Sequence, residues 1–134
     1  MVTSEHRWRR NRRTVEHQEP VASLCYIAIE YGDTDLSLEA LFRRVNPNLD
    51  DPSLVDSVRA RLHDQPELIP AWQQYSYDKR ATPSPFLDGT TTGLLAASDG
   101  KVAYRQLQTF DTPLDACAHF IVNEARWVLR HEYA

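Results

Sequence analysis

Six side chains crowded into one short stretch hold most of this chain's capacity for chemistry: Trp72, Tyr75, Tyr77, Asp78, Lys79 and Arg80, within AWQQYSYDKRATPSPFLDG from Ala71 to Gly89. Tryptophan, tyrosine and arginine bury large areas and still offer a polar handle, so they carry much of the binding energy at protein interfaces. The Asp-Lys-Arg triplet adds charge that can orient a partner. The set therefore points to recognition and is read as a partner-binding segment. A plainer role fits part of it. Trp72 and Tyr75, three apart, share one helical face and suit a core, with Asp78 and Arg80 as a structural ion pair.

Other chemistries are poorly provided for. His63, His119 and His131 are scattered, and no H-x-x-x-H or C-x-x-C spacing brings two metal ligands together. Asn46-x-Asn48-x-Asp50 echoes the start of a calcium loop. Its sixth position is Asp51 rather than glycine and its twelfth is Ser57 rather than glutamate, so a helix stop followed by a helix cap explains it better. Cys117 and His119 are two apart on a predicted helix and point in different directions, which leaves no cysteine nucleophile paired with a base. Nucleophile-elbow, phosphate-loop and dinucleotide signatures are missing. Neither a cofactor nor a metal is expected, and no catalytic residue is assigned.

Composition narrows the partners. The 134 residues suit a single domain, with 42% hydrophobic and 25% charged residues as in ordinary globular proteins. No apolar run approaches the roughly 20 residues that span a bilayer. Arg7, Arg9, Arg10, Arg12 and Arg13 are not followed by an apolar run, so the N-terminus does not read as a secretory signal. Cys25 and Cys117 lie in apolar surroundings; a disulfide between them is the alternative, and free buried thiols in a reducing compartment are the favoured reading, with the cytoplasm as the expected location. The net charge of −4 is uneven: residues 1–19 carry five Arg against three Glu, and residues 20–70 nine acids against four Arg. A nucleic-acid binder needs a concentrated positive face, which the expected folded part lacks.

The elements that must position the segment follow from spacing. Residues 1–19 lack periodicity and are expected to form a disordered basic tail, Trp8 being the one possible anchor. Pro20 suits the first position of a helix and Gly32 its end. Leu24 to Ile29 alone fits a helix or a buried strand, the helix being favoured. Leu38, Leu41, Phe42 and Val45 form one stripe, with capping oxygens expected from Asp33 to Asp35. Asp51-Pro52 reads as cap and first position of the next helix, carrying Leu54, Val55, Val58 and Leu62. A fourth helix is expected from about Pro66 or Glu67 to Tyr77, which places Pro70 in its first turn.

From Ser84 the period changes to two. Pro85 to Leu87, Thr91 to Ala97 and Val102 to Phe110 read as three strands, with turn signals at Asp88-Gly89 and Asp99-Gly100. Simple alternation puts Val102, Tyr104, Gln106, Gln108 and Phe110 on one face of the third strand and Leu107 on the other. Thr112-Pro113-Leu114-Asp115 then caps a long helix whose inward stripe is Leu114, Cys117, Ala118, Ile121, Val122, Ala125, Val128 and Leu129. The expected architecture is α+β: N-terminal helices, a three-stranded antiparallel meander, and a long C-terminal helix packed on it. Residues 20–134 are taken as one domain.

The arrangement Trp72…Tyr75-Ser76-Tyr77-Asp78-Lys79-Arg80, then Ser84-Pro85-Phe86-Leu87, then Thr112-Pro113…Asp115-Ala116-Cys117-Ala118…Phe120-Ile121 resembles small bacterial proteins of the toxin-immunity kind. The resemblance covers residues 71–130 and implies a cytoplasmic antidote that binds a toxin domain and masks its active site. A different class stays open: a small-ligand or enzymatic site between the meander and the helices, using Tyr77, Asp78 and Arg80. A deep pocket lined by Asp78, Arg80 and Tyr104 would favour that alternative.

Overall fold

A computed structural model describes residues 20–79 and 82–133. The expectations for residues 1–19, including the tail and Trp8, and for Arg80 lie outside the described residues. The described chain forms α1 (Pro20–Gly32), α2 (Leu38–Val45), α3 (Leu54–Asp64), α4 (Leu68–Asp78), β1 (Ser84–Asp88), β2 (Thr91–Ser98), β3 (Lys101–Thr109) and α5 (Pro113–Arg130). The strands make one antiparallel sheet in the order β1-β2-β3, and α5 packs on it. The fold is α+β.

Local chemistry accounts for most boundaries. Leu24 to Ile29 is helical as part of α1, whose buried Ala22, Leu24, Cys25 and Ile27 meet α3 and α4. The cap of α2 is Ser37 rather than the acids at 33–35: its Oγ accepts the Ala40 N–H at 3.1 Å. Ser37 stands directly before the first helical residue, where a side-chain oxygen reaches the third N–H. Asp51 likewise does not cap α3 directly. Its carboxylate accepts the Ser53 N–H at 2.9 Å and shapes a turn through Pro52, so the helix starts at Leu54. Pro70 occupies the first turn of α4, where a missing N–H removes no helical bond. Thr112 Oγ1 accepts the Asp115 N–H at 3.1 Å, with Pro113 at the first position of α5.

The Asp99-Gly100 turn has positive φ at both residues (52° and 76°), as a type I′ hairpin requires. Strict alternation in β3 fails at Gln106, whose φ of 53° marks a bulge opposite Gly93. One extra residue flips the side-chain sequence. Leu107 therefore joins the face of Tyr104, and Phe110 turns to the other side, where its ring stacks on His119 at 4.5 Å. Gly93 makes the bulge possible. A Cβ there would meet Phe86 Cε1 at 2.8 Å, the Arg105 carbonyl at 2.9 Å and Leu107 Cδ2 at 3.0 Å.

The core runs through all the helices and reaches the sheet at Leu87. α5 is more enclosed than one stripe suggests. Ala116, Phe120 and Glu124 are buried beside Cys117, Ala118, Ile121, Val122 and Ala125, whereas Leu114, Val128 and Leu129 are only partly buried. The helix touches α2, α3 and α4 as well as β1 and β2, so two of its sides face protein. Among the described residues no helix is long and apolar enough to cross a membrane.

Candidate protein-binding surface

α4 governs the region predicted for recognition, and it sorts the predicted residues into two groups. Trp72 and Tyr75 are in the core. The Trp72 indole donates to the Cys25 carbonyl at 2.8 Å, and the rings of Trp72, Tyr75 and Phe120 meet edge to face, with centroids 5.0–6.2 Å apart. A partner cannot touch either residue without opening the helix pair. The partner-binding role expected of them gives way to a core role, because both lie on the inward face of α4.

Lys79 also turns inward. Its ammonium lies 2.6 Å from Glu124 Oε1 and donates to the Pro85 carbonyl at 3.0 Å, while the Tyr75 hydroxyl donates to Glu124 Oε2. The side chains of Lys79 and Glu124 are only 10% and 1% exposed. Burial pulls the Lys79 pKa below the usual lysine value, against the opposing pull of Glu124. Burial, and then the charge of Glu124, pushes Tyr75 well above the usual phenol range. This triad is closed on itself: each polar atom is committed to another, and it anchors α4 to α5 and β1. Lys79 is thus assigned to the scaffold in place of the expected contact surface.

The same face of α4 grips the outer edge of β1. Leu87 N–H donates to Ser76 Oγ at 2.8 Å, Gln73 Nε2 donates to the Leu87 carbonyl, and Gly89 N–H donates to Gln73 Oε1 at 2.7 Å. Gln73 and Ser76 of α4 and Lys79 at its C-cap recur every three residues and satisfy the backbone groups that an edge strand otherwise exposes. Pro85 fits this arrangement, since its missing N–H falls on the side away from β2.

Among the described residues, four of the six exposed large apolar side chains gather at the sheet face turned away from α5. Tyr77 is 62% exposed, Val102 62%, Tyr104 59% and Leu107 59%. Tyr104 pairs across the strands with Leu95 and sets its ring edge-on to Phe86 at 5.0 Å. Tyr77 leans over from the end of α4, its hydroxyl donating to Asp88 Oδ1 at 3.1 Å. Tyr77, Phe86, Asp88, Leu95, Tyr104 and Leu107 line an open cleft of about 540 Å³, and Val102 stands on the same sheet face outside it. Isolated exposed apolar residues are normal, whereas a set gathered on one sheet face is the less common arrangement.

Asp78 is exposed and accepts from Gln74 Nε2 at 3.0 Å, outside the cleft lining. Among the described residues lining the cleft the one cation, Lys79, is already committed to Glu124 and Pro85. Among the described residues no group of His, Cys, Asp or Glu is arranged to hold a metal ion.

The face assembled by Phe86, Leu95, Val102, Tyr104 and Leu107 was missed in the sequence because it depends on strand register and on the bulge. Gln73, Ser76 and Glu124 were missed as well. Their one sequence signal was the three-residue spacing of polar side chains on α4 and a lone acid four residues after Phe120. Neither the family models, nor the curated proteins, nor the solved structures contain a match to this chain.

Proposed function

We propose that this chain is a non-catalytic protein-binding domain that docks its partner on the open face of the sheet, at Tyr77, Phe86, Tyr104 and Leu107. The observation that carries this reading is the exposed apolar face beside α4, where the neighbouring cation, Lys79, is already paired with Glu124. Aromatic side chains on a rigid sheet lose little entropy on binding, which suits them to anchor a protein partner. The specific form is an immunity protein of the cytoplasm that masks the active site of a bacterial toxin. That form is supported by the resemblance over residues 71–130 and by the net charge of −4, which favours encounter with a basic catalytic cleft.

The test is co-expression of the full chain with the product of the neighbouring gene. The expected outcome is co-purification and rescue of growth, both lost in Tyr104→Asp and Leu107→Asp with the fold intact by circular dichroism. Rescue that survives both substitutions would remove the open face from the interface. Toxicity without rescue or co-purification would end the immunity form.

A further inference from the structure

The two edges of the sheet are treated differently. The outer edge of β1 is occupied by Gln73, Ser76 and Lys79, whereas β3 pairs with β2 and, among the described residues, with no other strand. An unprotected edge is a template for another strand.

Hairpin geometry shows which groups are free. The two-residue turn makes Ser98 and Lys101 the closing hydrogen-bonded pair, and hydrogen-bonded and non-bonded pairs alternate from there. Lys101, Ala103 and Arg105 therefore direct their backbone groups to β2, and Val102 and Tyr104 direct theirs to the open edge. The side chains divide the same way. Val102 and Tyr104 stand on the open apolar face, Lys101 and Arg105 on the opposite one. Both cations are exposed, neither forms an ion pair among the described residues, and β3 contains no acid.

Resting on the protein-binding reading above, we propose that the open edge of β3 receives an extended segment of the partner in which apolar and acidic residues alternate. Laid antiparallel or parallel along Lys101 to Arg105, such a segment puts its apolar side chains beside Val102 and Tyr104 and its carboxylates beside Lys101 and Arg105. Both sets are satisfied by one strand because the side-chain period is two. A second copy of this chain is a poorer occupant. Antiparallel self-pairing centred on Ala103 opposes Lys101 of each copy to Arg105 of the other, and registers shifted towards Leu107 run into the bulge at Gln106.

The experiment pans a displayed library of short random peptides on the full chain, then measures the best synthetic peptide by fluorescence anisotropy. Enriched sequences are expected to alternate apolar and acidic residues. Val102→Pro removes one outward N–H without touching the bonds to β2, and should weaken binding by about tenfold or more. Lys101→Glu with Arg105→Glu alters only exposed side chains. It should weaken the same peptide comparably and redirect panning to basic residues, which keeps the test decisive if Val102→Pro fails to fold. Lack of enrichment, enrichment without alternation, or equal affinity for Val102→Pro overturns the proposal. An unliganded dimer that Val102→Pro dissociates assigns the edge to a second copy and also overturns it. Binding that ignores Val102→Pro but is lost in Leu107→Asp overturns strand addition while leaving the open face as a protein-binding site.

Discussion

The Lys79 ammonium lies 2.6 Å from the Glu124 carboxylate, and almost none of either side chain reaches water. Three elements meet at this pair, since Tyr75 of α4 shares the carboxylate and Pro85 of β1 shares the ammonium. Removing one member of a buried pair leaves the other charge stranded, a loss of about 3–5 kcal/mol, whereas replacing both by apolar groups is far milder. Glu124→Leu should therefore unfold at a much lower urea concentration than wild type, and Lys79→Met combined with Glu124→Leu should recover part of the loss. Equal urea midpoints for wild type and Glu124→Leu would show the pair to be idle.

The edge clamp on β1 makes a separate prediction. Ser76→Ala strands the buried Leu87 N–H, and such an orphan costs about 1–3 kcal/mol. Hydrogen exchange should quicken at Leu87 and Gly89 more than in α5. Uniform quickening, or none, would contradict the assignment of Ser76 to that N–H.

Gly93 holds the bulge that places Leu107. Gly93→Ala sets a methyl group against the Arg105 carbonyl, which is backbone and yields only if β2 and β3 separate. Overpacking of this kind costs about 1–3 kcal/mol. The variant should melt lower than wild type and lose affinity for any ligand of the open face.

Acid should weaken the fold in two windows. His119 is held below the ordinary histidine pKa of 6.5, first by burial and then by Arg59, against the pull of Asp115 and Asp56. The unfolded chain binds that proton at higher pH than the folded chain, so this contribution is complete above 6.5 and falls as pH drops through 6.5 towards the folded value. Asp50, hydrogen-bonded by Arg130, and Asp51, hydrogen-bonded by the Ser53 N–H, are held below 3.8. Their stabilisation is present above 3.8 and is lost below it. Urea titrations across pH should show both steps, and His119→Gln should flatten the upper one alone.

Both cysteines are free and buried. Burial pushes the Cys25 thiol up to about 12 and raises Cys117 as well, so neither carries appreciable thiolate at neutral pH. Iodoacetamide should leave the native protein unmodified by mass spectrometry and alkylate both residues in denaturant. Rapid native labelling of either would contradict their burial.

How much of this could be seen in the chain itself depended on the range of the interactions. The hairpin at Asp99-Gly100, the Thr112-Pro113 start of α5 and the stripe of α2 rest on contacts within a few residues, and local spacing determined them. So did the α+β class, because the hydrophobic period changes to two near Ser84 and back to that of a helix after Thr112. The residues around Trp72 to Arg80 could be recognised as special, but not sorted. Trp72, Tyr75 and Tyr77 are equally suited to core or interface by type, and only the docking of α4 against α1 and α5 decides which are buried. Glu124 is forty-five positions from Lys79, so the pair exists only once three elements converge. The open face of the sheet rests on a single bulge at Gln106, which no local pattern announces. Side-chain type and spacing thus set the elements, and tertiary packing alone chose which side chains were left for a partner.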